Sequence, residues 1–145
     1  MSLITDIADA VVAELNAAPA GTFEPSFTAQ RRVLPAFELA ELKALKVTVV
    51  PKAVQITGST RSSSQYDLAI DIGVQRKLTS DSDSDVENLG TLVDQIAEHL
   101  RQRPLSTAPY ASWMSIVNEP VYSPEHLLEQ RVFTSVLTVT YRAMK

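Results

Sequence analysis

Between Lys46 and Lys77 the chain carries two long extended segments separated by a stretch without apolar side chains. No other part of the sequence constrains the fold as tightly. Lys46 to Thr57 leads into Gly58-Ser59-Thr60-Arg61-Ser62-Ser63-Ser64-Gln65, and the chain returns through Tyr66 to Lys77. On the return, Tyr66, Leu68, Ile70, Ile72 and Val74 alternate with mostly polar or small residues, the period of a half-buried strand. Each such side chain contributes roughly 1.5–3 kcal/mol when buried, so the strand is firmly anchored. The tip has nothing to bury, yet ordering its backbone costs about 1–2 kcal/mol per residue. The reading is a long hairpin whose tip, about residues 58–65, is mobile or ordered by something outside the subunit. Ser59, Thr60, Arg61, Ser62, Ser63 and Ser64 are thus candidate residues for a contact with another protein, not for chemistry.

The flanking segments supply the rest of a layered domain. Ile4, Ile7, Ala8, Val11, Val12 and Leu15 recur at helical spacing, and Pro19 and Gly21 end that helix. Thr22 to Val33 reads as extended, with Pro25 restricting it to an edge or a bulge. After Pro35, Ala36 to Leu45 reads as a short helix with a narrow stripe of Leu39, Leu42 and Leu45. The strongest helix carries Val86, Leu89, Leu92, Val93, Ile96, Ala97 and Leu100, with Ser84 and Glu87 fitting a capping box and Pro104 stopping the run. Ser112 to Val117 and Gln130 to Tyr141 read as strands, separated by a loop with one helical turn. The expected fold is a single α+β domain over residues 1–145: a mainly antiparallel sheet with the long hairpin, packed by two main helices on one side.

Composition narrows the function classes. At 145 residues the chain has length enough for a sizeable core, and zero cysteines exclude disulfides, thiolate catalysis and cysteine zinc sites. A net charge of −4 argues against holding nucleic acid by overall field, though it permits DNA to pass nearby. No apolar run approaches the ~20 residues of a membrane-spanning helix, and the amino terminus lacks the look of a secretory signal.

The remaining chemical motifs are weak. Asp81-Ser82-Asp83-Ser84-Asp85 invites a calcium reading, but an EF-hand loop needs glycine and glutamate where Val86 and Leu92 stand. A solvated acidic loop at a helix amino terminus is the better reading. His99 and His126 are the two histidines, and neither has a nucleophile or an oriented partner at readable spacing. Asp67 and Asp71 share a strand face with Ala69, opposite the core residues. That makes a solvated or inter-subunit face the better reading than a catalytic pair. Trp113 and Tyr110, beside a proline-rich loop, read as core plug or loop anchor. No catalytic residue, cofactor or metal is expected.

The order of elements has a further implication. Ile4–Leu15, then "ELAELKALKVTVVP" (Glu38–Pro51), "SSSQYDLAIDIGVQRKL" (Ser62–Leu78), "DVENLGTLVDQIAEHLRQRPL" (Asp85–Leu105) and "RVFTSVLTVTYRA" (Arg131–Ala143) follow one another. This layout resembles the small neck proteins of tailed bacteriophages, in particular the tail terminator or tail-completion family. The likeness is one of layout and texture over most of the chain, without a chemical motif. Members of that family form hexameric rings that cap the tail tube and join it to the head, leaving a channel for DNA. The resemblance therefore implies a structural virion protein, made in the host cytoplasm and sited in the neck. Its implied partners are further copies in a hexamer, the tail tube protein and a head–tail connector or adaptor, with DNA passing through unbound. A head-completion or adaptor protein, or a non-viral protein-binding module, are the alternative readings. A small enzyme comes last; it would need Asp67, Asp71 or His99 to converge in a pocket.

Overall fold

The computed structural model describes residues 2–33, 41–78 and 83–145. Its element order is α1 (Leu3–Asn16), β1 (Ala29–Arg31), β2 (Lys46–Gly58), β3 (Ser64–Lys77), α2 (Asp83–Leu100), β4 (Ser112–Asn118) and β5 (Val132–Met144). The strands form one sheet in the order β1-β2-β3-β5-β4. All neighbouring pairs are antiparallel except β1 with β2, so the architecture is α+β with a mostly antiparallel sheet and two main helices.

The centre of the sheet follows from alternation. On β3 the side chains of Leu68, Ile70, Ile72 and Val74 are fully buried. The register with β5 sets Leu68 opposite Tyr141, Ile70 opposite Val139 and Ile72 opposite Leu137. Directly opposed residues share a face of the sheet, so these pairs form one apolar floor. Both helices lie on it, with Ile7, Val11 and Leu15 of α1 and Leu89, Leu92, Val93, Ile96 and Leu100 of α2 in the same cluster.

Local chemistry ends the elements where they end. Ser2 caps α1, its hydroxyl accepting from the Thr5 amide at 3.2 Å. At the other end Asn16 reaches the backbone of Ala29, donating to its carbonyl at 3.1 Å and accepting from its amide at 2.8 Å. That pair of bonds docks the short β1 against the helix. Strand structure in the Thr22–Val33 segment is limited to Ala29–Arg31, at the sheet edge beside Val47, Thr48 and Val49. α2 begins at Asp83, so Ser84 stands inside its first turn and not at the cap that a box with Glu87 requires. Of the acidic loop expected over Thr79–Asp85, residues 79–82 lie outside the described residues, and Asp83, Ser84 and Asp85 belong to the first turn of α2 instead.

The helix expected over Ala36–Leu45 falls partly outside the described residues. Within them, Glu41–Lys43 forms a single 3-10 turn with Leu42 buried, and Lys46 already opens β2. A leucine every third residue matches the three-residue period of such a turn better than the 3.6 of an α-helix. The expected helical turn after β4 is a π-helical one, His126–Gln130, with Arg131 in the left-handed region leading into β5.

The opposite face of the sheet is polar. Thr138 donates to the Asp71 carboxylate at 2.6 Å, and Arg142 to Asp67 at 2.8 Å, each across the β3–β5 ladder. A sheet with one apolar and one polar face predicts a strong asymmetry between neighbouring positions. Ile70→Ala should cost about 2–5 kcal/mol by leaving a cavity under both helices, whereas Thr140→Ala, on the polar face, should stay within about 0.5 kcal/mol. Urea denaturation midpoints of the two variants check this.

Candidate interaction site

The β2–β3 pair runs out beyond the helices. Its register continues from Lys46↔Gln75 to Gly58↔Ser64, broken once by an irregularity between Pro51 and Ala53. Up to Val50 the strand is half-buried or buried, but every residue from Lys52 to Gly58 is exposed. Pro51 and the extra residue at Lys52 are devices often found on edge strands, where a missing amide and a local twist discourage unwanted pairing.

The five residues at the turn, Ser59 to Ser63, supply their own order. The amides of Ser59 and Thr60 donate to the Ser63 carbonyl at 3.4 and 3.1 Å. The Thr60 hydroxyl accepts from the Ser63 amide at 3.1 Å and lies 2.7 Å from the Ser63 hydroxyl. The sequence reading, mobile or ordered from outside the subunit, did not include this source of order: small polar side chains bonding the turn's own backbone. Below the turn, Ser64 and Lys145 exchange both backbone bonds, at 2.7 and 2.9 Å, tying the tip to the end of β5. Arg61 is exposed and has no carboxylate partner among the described residues.

Next to the tip, Asp67 and Arg142 form an ion pair at 2.8 Å. The hydrogen bond from Arg142 is the main cause that holds the Asp67 carboxyl below its ordinary range, despite partial desolvation. With its amide oxygen turned to the guanidinium, Gln65 accepts from Arg142 at 3.2 Å. Lys52 lies 3.8 Å from Asp71. The two aspartates singled out from the sequence are therefore engaged across strands on the polar face, and they do not converge on a pocket.

Two exposed apolar residues add to the site. Val54 is 45% exposed and Ile56 58% exposed, although the register sets them opposite Leu68 and Tyr66 on the helix-bearing face. They continue the apolar face of Val47 and Val49 past the point where helix cover ends. The sequence announced neither the face nor the loss of cover: strict alternation from Val47 and Val49 would send Val54 and Ile56 to the other face, and it is the extra residue at Lys52 that returns them to this one.

The strongest rival for chemistry is a buried cluster around Glu14. This carboxylate, 8% exposed, accepts from the Ser106 amide at 2.8 Å and the Ser106 hydroxyl at 2.7 Å. Burial pushes its carboxyl up, but the two Ser106 bonds, with Arg103 and His99 nearby, more than offset that and leave it below its usual range. Burial is also the main cause pushing the Tyr141 phenol up, with the Glu14 charge adding to it. His99 Nε2 lies 3.3 Å from the Glu14 carbonyl, and its ring meets Phe23 edge-on. The carboxylate fastens the loop that carries Ser106 to α1. His126 sits elsewhere, its Nδ1 2.8 Å from the Thr134 hydroxyl.

Two surface clefts stand out. One of about 480 Å³ is lined by Val86, Glu87, Val121, Tyr122, Leu127 and Phe133. Another, about 440 Å³, lies between α2 and β4 over Trp113, Ile116 and Leu137, where Glu98 is paired with Arg101 at 2.8 Å. Neither brings together a nucleophile, a base and an orienting group. Trp113 packs against the core cluster from this cleft, while Tyr110 is exposed. Among the described residues no group of histidine, aspartate and glutamate could hold a metal ion. No described helix is long and apolar enough to cross a membrane. No model of a known protein family matches the chain, and none of the curated proteins matches it.

The hydrogen bonds of Glu14 and of the turn can each be tested by one substitution. A carboxylate with a lowered folded pKa contributes stability that is present above the unfolded value, about 4.3 for glutamate, and lost as pH falls through the folded one. Glu14→Gln should therefore flatten the stability profile in that acid range, read as unfolding free energy between neutral and acid pH. Thr60→Ala should speed amide exchange at Ser62 and Ser63 while global stability shifts by no more than about 0.5 kcal/mol, since the turn is exposed.

Proposed function

We propose that this chain is a structural protein of a tailed-bacteriophage neck, a ring subunit that ends the tail tube and joins it to the head. The carrying observation is the β2–β3 extension, which is held in strand register from Lys52 to Gly58 although every one of those residues is exposed. An ordered projection with apolar Val54 and Ile56 on one side and a polar tip suits docking on a neighbour. The order of elements supports the same reading through its resemblance to the tail terminator family. In that role the residues Ser59 to Ser64 contact the adjacent subunit or the tube end, the ring is a hexamer, and DNA passes through without specific binding. The mildly acidic chain, at −4, repels the phosphate backbone and so favours sliding.

The test is light scattering on a sizing column with and without purified tail tubes, followed by negative-stain imaging. A six-fold ring, or a subunit that caps tube ends, is the expected result. A stable monomer that ignores tubes overturns the terminator assignment and favours a head-side adaptor or another binding module. A second variant isolates the tip: replacing Ser59–Ser63 by Asn-Gly leaves Gly58 and Ser64 joined by a two-residue turn suited to antiparallel strands. It should melt within a few degrees of the parent yet lose assembly.

A further inference from the structure

Among the described residues the sheet has two edges with unpaired backbone, and they are complementary. Ser64 exchanges both backbone bonds with Lys145, so Ser64, Tyr66 and Leu68 of β3 direct their backbone groups towards β5. Gln65, Asp67 and Ala69 then face β2, where the register sets them opposite Thr57, Gln55 and Ala53. By alternation, Val54, Ile56 and Gly58 turn their amides and carbonyls outward. At the opposite edge, Val136 bonds the chain on the β4 side through Glu119 and Pro120, so Thr138, Thr140 and Arg142 also face β4. Their partners Val117, Ser115 and Ser112 point inward, leaving Trp113, Ile116 and Asn118 to present theirs outward.

We propose that β4 of one copy pairs antiparallel with the outer half of β2 of the next copy, making the sheet continuous from subunit to subunit. This deepens the ring reading, which supplies its closure. Four observations select β4 as the partner of β2. First, β2 runs antiparallel to β3, β3 to β5 and β5 to β4, so a neighbour added with the same orientation meets β2 antiparallel. Second, β1 occupies the β2 edge at Val47–Val49, so the incoming strand seats only beyond it, where Lys52–Gly58 matches Ser112–Asn118 in length. Third, the outward-turned residues of both edges have side chains on the helix-bearing face, which keeps the helices of both copies on one side. Val54 and Ile56 then lie against the cleft over Trp113 and Ile116. Fourth, the register that sets Val54 opposite Ile116 brings exposed Lys52, 3.8 Å from Asp71 of its own copy, diagonally beside exposed Glu119 of the next. A heterologous contact of this kind extends into a ring or an open chain according to its rotation.

The absence of cysteine makes the test clean. In the proposed register Ala53 faces Val117 as a non-hydrogen-bonded pair, with Cα atoms about 4.5 Å apart, within disulfide reach. Both positions are exposed, so the variants should retain the parent melting curve. Full-length Ala53→Cys/Val117→Cys, oxidised, should give a ladder of covalent oligomers on a non-reducing gel, while each single variant stays monomeric. Ile56→Lys in that background should cut the ladder yield about tenfold, as loss of a central apolar contact does. A ladder without a closed ring supports the edge pairing and removes the ring. A ring without a ladder does the reverse. A covalent dimer from Gln55→Cys alone marks two-fold β2–β2 pairing and overturns the proposal, as does the absence of any cross-link in concentrated protein.

Discussion

Everything else in the molecule rests on the ladder between β3 and β5, which runs from Gln65↔Met144 to Lys77↔Val132. Its pairs alternate between an apolar face under the helices and a polar face of threonine, aspartate and arginine. Because the side-chain period is two, a slip of one residue would bring Leu68, Ile70 and Ile72 to the polar side and Asp67 and Asp71 under α1 and α2. The cross-strand bonds from Thr138 to Asp71 and Arg142 to Asp67 reinforce the same register from the other face. One constraint thus sets both the core and the polar surface.

The helices need that floor as much as the floor needs them. A helix as short as α1, with 14 residues, is marginal alone in water; packing on the apolar ladder makes it persist. Glu14 shows how little polar chemistry the core admits. Its carboxylate stays charged because Ser106 satisfies it twice, and the same two bonds pin the loop that leads from α2 to β4. The helices cover only part of the sheet, and the functional consequence lies in what they leave bare. Past Pro51, β2 and its pairing with β3 continue without cover, so the outer strand meets solvent or a partner.

Several features were readable from residue order. The alternation from Tyr66 to Val74, the stripes of α1 and α2, and the phase of β5 were legible because each is a local period repeated several times. The polar run from Ser59 to Ser64 stood out for lacking anything to bury. Harder cases had a physical reason for being so. The Thr22–Val33 segment has strand-friendly residues but forms a strand only where Asn16 and the β2 edge meet Ala29. Glu41–Lys43 takes a 3-10 turn, whose three-residue period a leucine at every third position matches better than the 3.6 of an α-helix. The bond between Ser64 and Lys145 joins residues far apart in the chain, and no local pattern announces it.

The residue order alone determined which side of each long element is apolar, since burial of one face follows from a period that neighbouring residues set among themselves. It also determined that the turn between β2 and β3 would be polar and without a core of its own. Only the tertiary structure decided where cover stops, which edges of the sheet stay unpaired, and that Val54 and Ile56 stay exposed on the cleft-bearing side of the sheet. The physical reason is that exposure depends on distant elements: the length of α1, the place where β1 docks and the position of β4 set it, and none of these is encoded in the residues left exposed.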